Sequence, residues 1–429
     1  MKPGNPSPPP TASPPLARRR FLKTLTAGSA CALFRGRGSD AIEPRRQARV
    51  RGLLLGSFIG DALGGPIEFQ DPDRVQGLPE PPKRWRNGET PDAVGRAAAA
   101  DRLRLRSYRE LRPEPEPYAH WEPNAAAGTV TDDTRHKLIL LHALRSADPA
   151  DDLLLGRHHF ARAHLEWPQI APVQSRPDYR ELCREWLREW EQGARWVLGE
   201  RKPAHALPPE RMWAGLPTCC GQMSLLPLAA LLPGRPEAAY RLAYELGFFD
   251  NGFGKDLNAA LVAGLSTALV QPVGSDNAAE AWEAVFTAMR ATDPYAYGKV
   301  PWVQRPVDRW LDRALDLAEQ AAGEPAAAFA SLETEFASTI KWEAQVPFVV
   351  AFTCLRLARY HPLAALELTL EWGHDTDSYA ALLGAFVGAL HGAELFPDAL
   401  RKPVEERLAA DYGFSVEEAV SLLLQRNQP

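Results

Sequence analysis

The chain has 429 residues, 45% hydrophobic and 24% charged, with a formal net charge of −5. These figures suit a globular protein able to bury a substantial core, and they exclude the collagen-like and membrane-spanning classes. The slightly negative balance, with no dense Lys/Arg stripe in the body of the chain, provides no field for a phosphate backbone, so nucleic acid is not an expected partner.

The five cysteines, at 31, 183, 219, 220 and 354, form no C-x-x-C pair, so neither a disulfide framework nor a zinc knuckle is expected. Residues 1–41 read as a targeting leader. A Pro/Ser-rich stretch runs into ARRRFLK (Ala17–Lys23), a mildly apolar TLTAGSACALF (Thr24–Phe34) and RGRGSDA (Arg35–Ala41). This resembles a twin-arginine export signal and predicts a periplasmic or extracellular protein; a disordered basic N-terminus on a cytoplasmic protein is the alternative. The apolar core is too short to span a bilayer, so no stable membrane association is expected after export.

Gln47 to Leu63 carries Val50, Leu53, Leu54 and Phe58 at helical spacing, with Gly52, Gly56 and Gly60 every fourth residue, which predicts a closely packed helix. A Pro-, Arg- and Glu-rich zone follows at 66–124, too long for a passive connector. It is expected to cover something. From Thr131 onward apolar residues recur at i, i+3 or i+4 near 131–146, 151–166, 178–199, 222–232, 236–249, 255–270, 277–291, 305–322, 345–359, 362–372, 378–392 and 415–426. No period-two run and no fixed repeat interrupts them. One all-α domain over 47–429 is expected.

Two short acidic clusters stand out. In GTVTDDTRHKL (Gly128–Leu138), Thr131, Asp132 and Asp133 precede an apolar helix, and in GHDTDSYAALLG (Gly373–Gly384), Asp375, Thr376, Asp377 and Ser378 do the same. Taken singly, each reads as a helix N-cap. If the two helix starts converge, their carboxylates repel by about 4 kcal/mol for each pair at ~4 Å and an effective dielectric near 20. Helix dipoles offer only about 0.3 to 1 kcal/mol each in return, so cations are required. An all-oxygen set suits Mg²⁺, or Mn²⁺ in its place, better than zinc, and two such ions with open positions can activate a water and hold ribose hydroxyls.

The blocks GLLLGSFIGDALGGPIEF (Gly52–Phe69), GTVTDDT (Gly128–Thr134) and GHDTDSYAALLGAFVGALHG (Gly373–Gly392) resemble, in order, the signature blocks of the ADP-ribosylglycohydrolases. The resemblance implies a compact multi-helix orthogonal bundle with two Mg²⁺ ions, cleaving ADP-ribose from a protein side chain or small acceptor. It implies Thr131, Asp132, Asp133, Asp375, Asp377 and Ser378 as metal ligands, and Glu68, Asp133 and Asp377 as the catalytic carboxylates. Asp61 is expected to be structural. A monomer acting on an ADP-ribosylated protein or small ADP-ribosyl substrate is expected.

The pattern is not matched throughout. In LPTCCGQMSLLPLAAL (Leu216–Leu231), Gly221, Met223 and Pro227-Leu228 match the family's substrate-pocket segment, but its Asn has no counterpart and Ser224 stands for its Arg. FFDNGFGKD (Phe248–Asp256) lacks the usual histidine. His374, beside the metal aspartates, is a candidate substrate contact, with packing on the helix start as the alternative, and Tyr118 and Trp121 could stack on a base or sugar. These differences leave open a family member with another glycoside substrate or a non-catalytic, crystallin-like one. An isoprenoid synthase, also all-α and Asp-rich, fits less well because DDTRH lacks the further carboxylate of D-D-x-x-D.

Overall fold

The glycines of the first predicted helix mark a backbone-to-backbone helix contact. A computed structural model describes residues 39–69, 103–108, 126–147, 156–175, 187–273 and 277–426. The leader up to residue 38, most of the Pro-rich zone with Tyr118 and Trp121, and the stretches 151–155 and 178–186 lie outside the described residues. From Glu43 onward the chain folds as one unit.

Helix α1 (Ser39–Gly64) lies against a helix near the C-terminal end, α13 (Thr376–His391). A Cβ added at Gly52 would stand 2.2 Å from the Gly388 carbonyl oxygen, one at Gly56 2.1 Å from that of Gly384, and one at Gly60 2.1 Å from that of Ala380. The relation is reciprocal, at 2.0 Å from Gly384 to the Gly56 oxygen and 1.9 Å from Gly388 to that of Gly52. Only hydrogen fits on either side, so the two backbones touch directly.

Between them in the chain come α2 (Asp132–Ser146), α3 (Arg157–Glu166), α4 (Arg188–Val197), α5 (Cys220–Ser224), α6 (Pro236–Leu246), α7 (Gly254–Ala268), α8 (Ala278–Ala291), α9 (Pro306–Gln320), α10 (Pro325–Glu335), α11 (Gln345–Leu357) and α12 (Pro362–Glu371). Asp398–Tyr412 (α14) and Val416–Arg426 (α15) follow. Helix α13 is built from Ala, Leu, Gly, Phe and Val and is buried along nearly its whole length, with α7, α11 and α12 packed around it and α2 and α5 at its start. The all-α expectation holds: the described residues contain no strand, only an isolated bridge between Thr218 and Glu343. No helix among them is long and apolar enough to cross a membrane.

Three local expectations need correction. The single helix expected at 222–232 is split into α5 and a 3-10 turn, Leu226–Leu231, where Pro227 removes an amide donor and ends the α ladder. Helices α10 and α14 were not expected. In α14 the interior Pro403 speaks against a helix, but Leu400, Val404 and Leu408, four residues apart, are all buried. Their burial outweighs the one lost hydrogen bond.

Candidate active site

The site starts from Asp61 on α1. Its carboxylate accepts hydrogen bonds from the Thr131 and Thr134 amides, both at 2.9 Å, and so caps α2, whose first amides have no partner within the helix. Thr131 completes the cap, its hydroxyl oxygen accepting from the Asp133 amide at 3.2 Å. Just upstream, Gly128 (φ +88) presses on α14, where a Cβ would meet the Pro403 carbonyl at 2.8 Å. The acidic loop is thus wedged between α1 and α14.

Two hydroxyls tie the start of α2 to the start of α13. Thr131 donates to Asp377 Oδ2 at 2.8 Å, and Ser378 donates to Asp133 Oδ2 at 2.9 Å. Thr376 donates to the Gly64 carbonyl at 2.9 Å, so α13 begins on the last residue of α1. The chain then passes through a short 3-10 turn, Gly65–Ile67, to Glu68. Phe69 (φ +50) donates its amide to the His374 carbonyl at 2.6 Å, which brings the Glu68 loop beside the loop of Asp375. His374 itself adopts φ +62, and its ring lies 2.5 Å from Glu333 and edge-on to Trp372. That ring engages the neighbouring surface and is not part of the cleft wall.

The carboxylates gather into two trios. Glu68, Asp375 and Asp377 each offer an oxygen within 4.8 Å of the others, as do Asp132, Asp133 and Asp377, so Asp377 belongs to both. Asp133, Asp375 and Asp377 are buried. Asp375 Oδ2 and Asp377 Oδ1 are shut off from solvent and accept no hydrogen bond. Burial pushes the Asp133 carboxyl up to about 7, against the pull of Lys137, and Asp61 and Asp132 raise it further. Burial likewise drives Asp375 well above the usual carboxylate range, reinforced by Asp133, and Asp377 too, reinforced by Glu68 and Asp375. Crowded buried oxygens without proton donors are costly on their own. A hard divalent cation in each trio would satisfy them, and the all-oxygen donor set fits such ions.

Lys137 was not singled out in the sequence, where it ends the polar stretch Thr131–Lys137 just before the apolar Leu138–Leu141. One turn beyond Asp133 on α2, it is fully buried; its Nζ donates to the Asp133 main-chain oxygen at 2.8 Å and lies 3.9 Å from Asp133 Oδ1. Its spacing of four from Asp133 was the available signal. Burial lowers its pKa, and the nearby Asp133, Asp61 and Asp377 act in the opposite direction.

Above the acids opens a cleft of about 580 Å³ whose lining includes both trios, Met223 and the indoles of Trp190, Trp213 and Trp342. Trp190 and Trp213 meet edge to face at 6.2 Å, and Trp213 and Trp342 at 6.4 Å. Trp213 is held in the left-handed region (φ 52, ψ 33), strain of a kind that clusters at functional sites. Arg188 also lines the cleft. Gly221 lies behind the wall, not on it: its amide donates to Asp250 Oδ1 at 2.9 Å, and Asn258 donates to the same oxygen at 2.9 Å.

Asp250 gives a direct pH test. Burial lifts its carboxyl to about 7 from 3.8, with Lys255 opposing. The folded protein therefore holds a proton that the unfolded chain releases above about pH 4, and stability falls as pH rises towards 7 and then levels off. The share due to this group is about 4 kcal/mol. Asp250→Asn should remove that slope, measured as the difference between the urea-unfolding free energies of variant and wild type from pH 4 to 8.

In an all-helical bundle, the buried helix starts converge as two acidic trios that could hold metal ions, at the floor of an aromatic cleft. The family model for ADP-ribosylglycohydrolase matches residues 42–428, nearly the whole chain, and the protein belongs to that family. No curated protein matches it. Membership places it among glycohydrolases and sets aside the isoprenoid-synthase alternative.

Proposed function

We propose that the protein is a binuclear, Mg²⁺-dependent glycohydrolase that cleaves the ribosyl bond between ADP-ribose and a protein side chain or small acceptor. The observation that carries this reading is the pair of trios sharing Asp377 beneath the cleft. When bound there, Mg²⁺, or Mn²⁺ in its place, would lend Lewis-acid charge to ribose hydroxyls and to the attacking water. The remaining work falls to the chain. Asp132, Asp133, Asp375 and Asp377, with Glu68 in the first trio, would hold the ions, while the hydroxyls of Thr131 and Ser378, expected from the sequence as ligands, donate to Asp377 and Asp133 and would fix their orientation.

Cleavage builds positive charge on the anomeric carbon and ring oxygen, which the acidic floor of the cleft would stabilise. Glu68, which follows the 3-10 turn after α1 and lines the cleft, would take the proton of the attacking water. The indole wall of Trp190, Trp213 and Trp342 would receive a flat ring of the substrate, and Arg188 a phosphate oxygen. A second reading has its own support: Cys219, Cys220 and Met223 line the cleft in the segment where the family's Asn and Arg are missing. It keeps the chemistry and changes the substrate to another ribosyl compound. Export through the leader belongs to the same proposal, with cell fractionation as its check.

The experiment is release of ADP-ribose from ADP-ribosyl-arginine and ADP-ribosyl-serine proteins in Mg²⁺. Activity abolished by EDTA and restored by Mg²⁺ is expected. Undiminished activity in EDTA would contradict the proposal, and hydrolysis of other ribosyl compounds alone would select the second reading.

A further inference from the structure

Lys137 is the one cation that the starts of α2 and α13 enclose together with Asp133, Asp377 and Asp61, among the described residues. Its geometry is unusual for an ion-pair partner. The single hydrogen bond from Nζ goes to a main-chain oxygen at 2.8 Å, and Asp133 Oδ1 lies at 3.9 Å, beyond hydrogen-bonding distance. Asp133 Oδ2 meanwhile takes its hydrogen bond from Ser378. The ammonium thus sits close enough to act on the Asp133 carboxylate through its field without hydrogen-bonding either of its oxygens. Arg135, the other buried cation of this turn, donates to the Tyr412 hydroxyl at 2.9 Å and to the Val130 carbonyl at 3.2 Å, and its charge bears on Asp132.

We propose that Lys137 is a built-in counter-cation of the acidic centre, holding the carboxylates together before divalent ions arrive and limiting how tightly those ions are then held. The inference rests on the two-ion reading given above. In the metal-free protein the ammonium offsets part of the repulsion among Asp61, Asp133 and Asp377. In the loaded protein the same charge opposes each incoming cation, so the centre exchanges ions more readily than its number of acids alone would allow. A buried lysine that served only as filler would do the first job through packing and would leave the second untouched.

The test is calorimetric titration of the full chain with Mn²⁺ alone, together with melting temperatures in EDTA and in Mn²⁺. Lys137→Met keeps the length of the side chain and removes the charge. It should bind Mn²⁺ about tenfold more tightly than the wild type, since a unit charge a few ångströms away contributes on that scale even at a high effective dielectric. Its melting temperature should fall more in EDTA than in Mn²⁺. Affinity unchanged or weakened, with equal losses of melting temperature in both buffers, would overturn the proposal. If Lys137→Met fails to fold without metal, the double variant Lys137→Met/Asp133→Asn, which removes one negative charge in turn and can still accept from the Ser378 hydroxyl, should recover soluble protein. A double variant no better folded than the single one also overturns it. Absence of Mn²⁺ binding by the wild type itself would instead refute the two-ion reading, and this inference with it.

Discussion

Asp377→Asn is expected to abolish hydrolysis while leaving the metal-free protein at least as stable as the wild type. Asp377 is the carboxylate common to both trios, so its loss strips a ligand from each prospective ion at once. A fall of about 10⁴-fold or more in kcat/KM is expected, the scale seen when a group on which the whole catalytic unit depends is removed. Stability should move the other way. Asp377 is buried among like charges, and burial holds its carboxyl well above the usual range. The folded wild type therefore releases this proton at a higher pH than the unfolded chain does, and it loses stability as pH rises above the ordinary carboxylate range. The amide has no such penalty and can still accept the Thr131 hydroxyl. Melting curves in EDTA from pH 5 to 8 should show the advantage of the variant growing with pH. A uniform loss of stability at every pH would mean that Asp377 is a structural cap.

The second large effect is expected far from the acids. In Gly384→Ala the new methyl would stand 2.0 Å from the Gly56 carbonyl oxygen, backbone against backbone, with no side chain free to yield. Helix propensity favours alanine by about 1 kcal/mol, but forcing two packed helices apart should cost more, for a net loss of about 3 kcal/mol in chemical unfolding. The same displacement would reach the site. Helix α1 carries Asp61 and leads to Glu68, and α13 begins with Asp377 and Ser378. Divalent-ion affinity should therefore fall together with stability. A variant with wild-type stability would show that the two helices have slack.

Much of this could be read in the sequence, and the limits have physical causes. The Gly52, Gly56 and Gly60 stripe announced close packing because only one residue type permits it. The acids at 131–133 and 375–378 announced a shared centre because repulsion between them has few remedies. Asp61 was expected to be structural, and its two amide contacts at the start of α2 give that role a mechanism. The expected helices mostly appear, whereas α14 was hidden by Pro403, although Leu400, Val404 and Leu408 carried the period. The roles of Lys137 and of the wall formed by Trp190, Trp213 and Trp342 depend on convergence of distant segments, which local periodicity cannot express. His374 shows the reverse case: adjacent in sequence to the metal aspartates, it turns its ring to Glu333 because the backbone there is left-handed.

The central claim is that two divalent ions share Asp377 between the starts of α2 and α13. Anomalous diffraction from crystals grown with Mn²⁺ measures this directly. Two peaks are expected, one against Glu68, Asp375 and Asp377 and the other against Asp132, Asp133 and Asp377. No peak there, in crystals that diffract well and hold Mn²⁺ elsewhere, would contradict it.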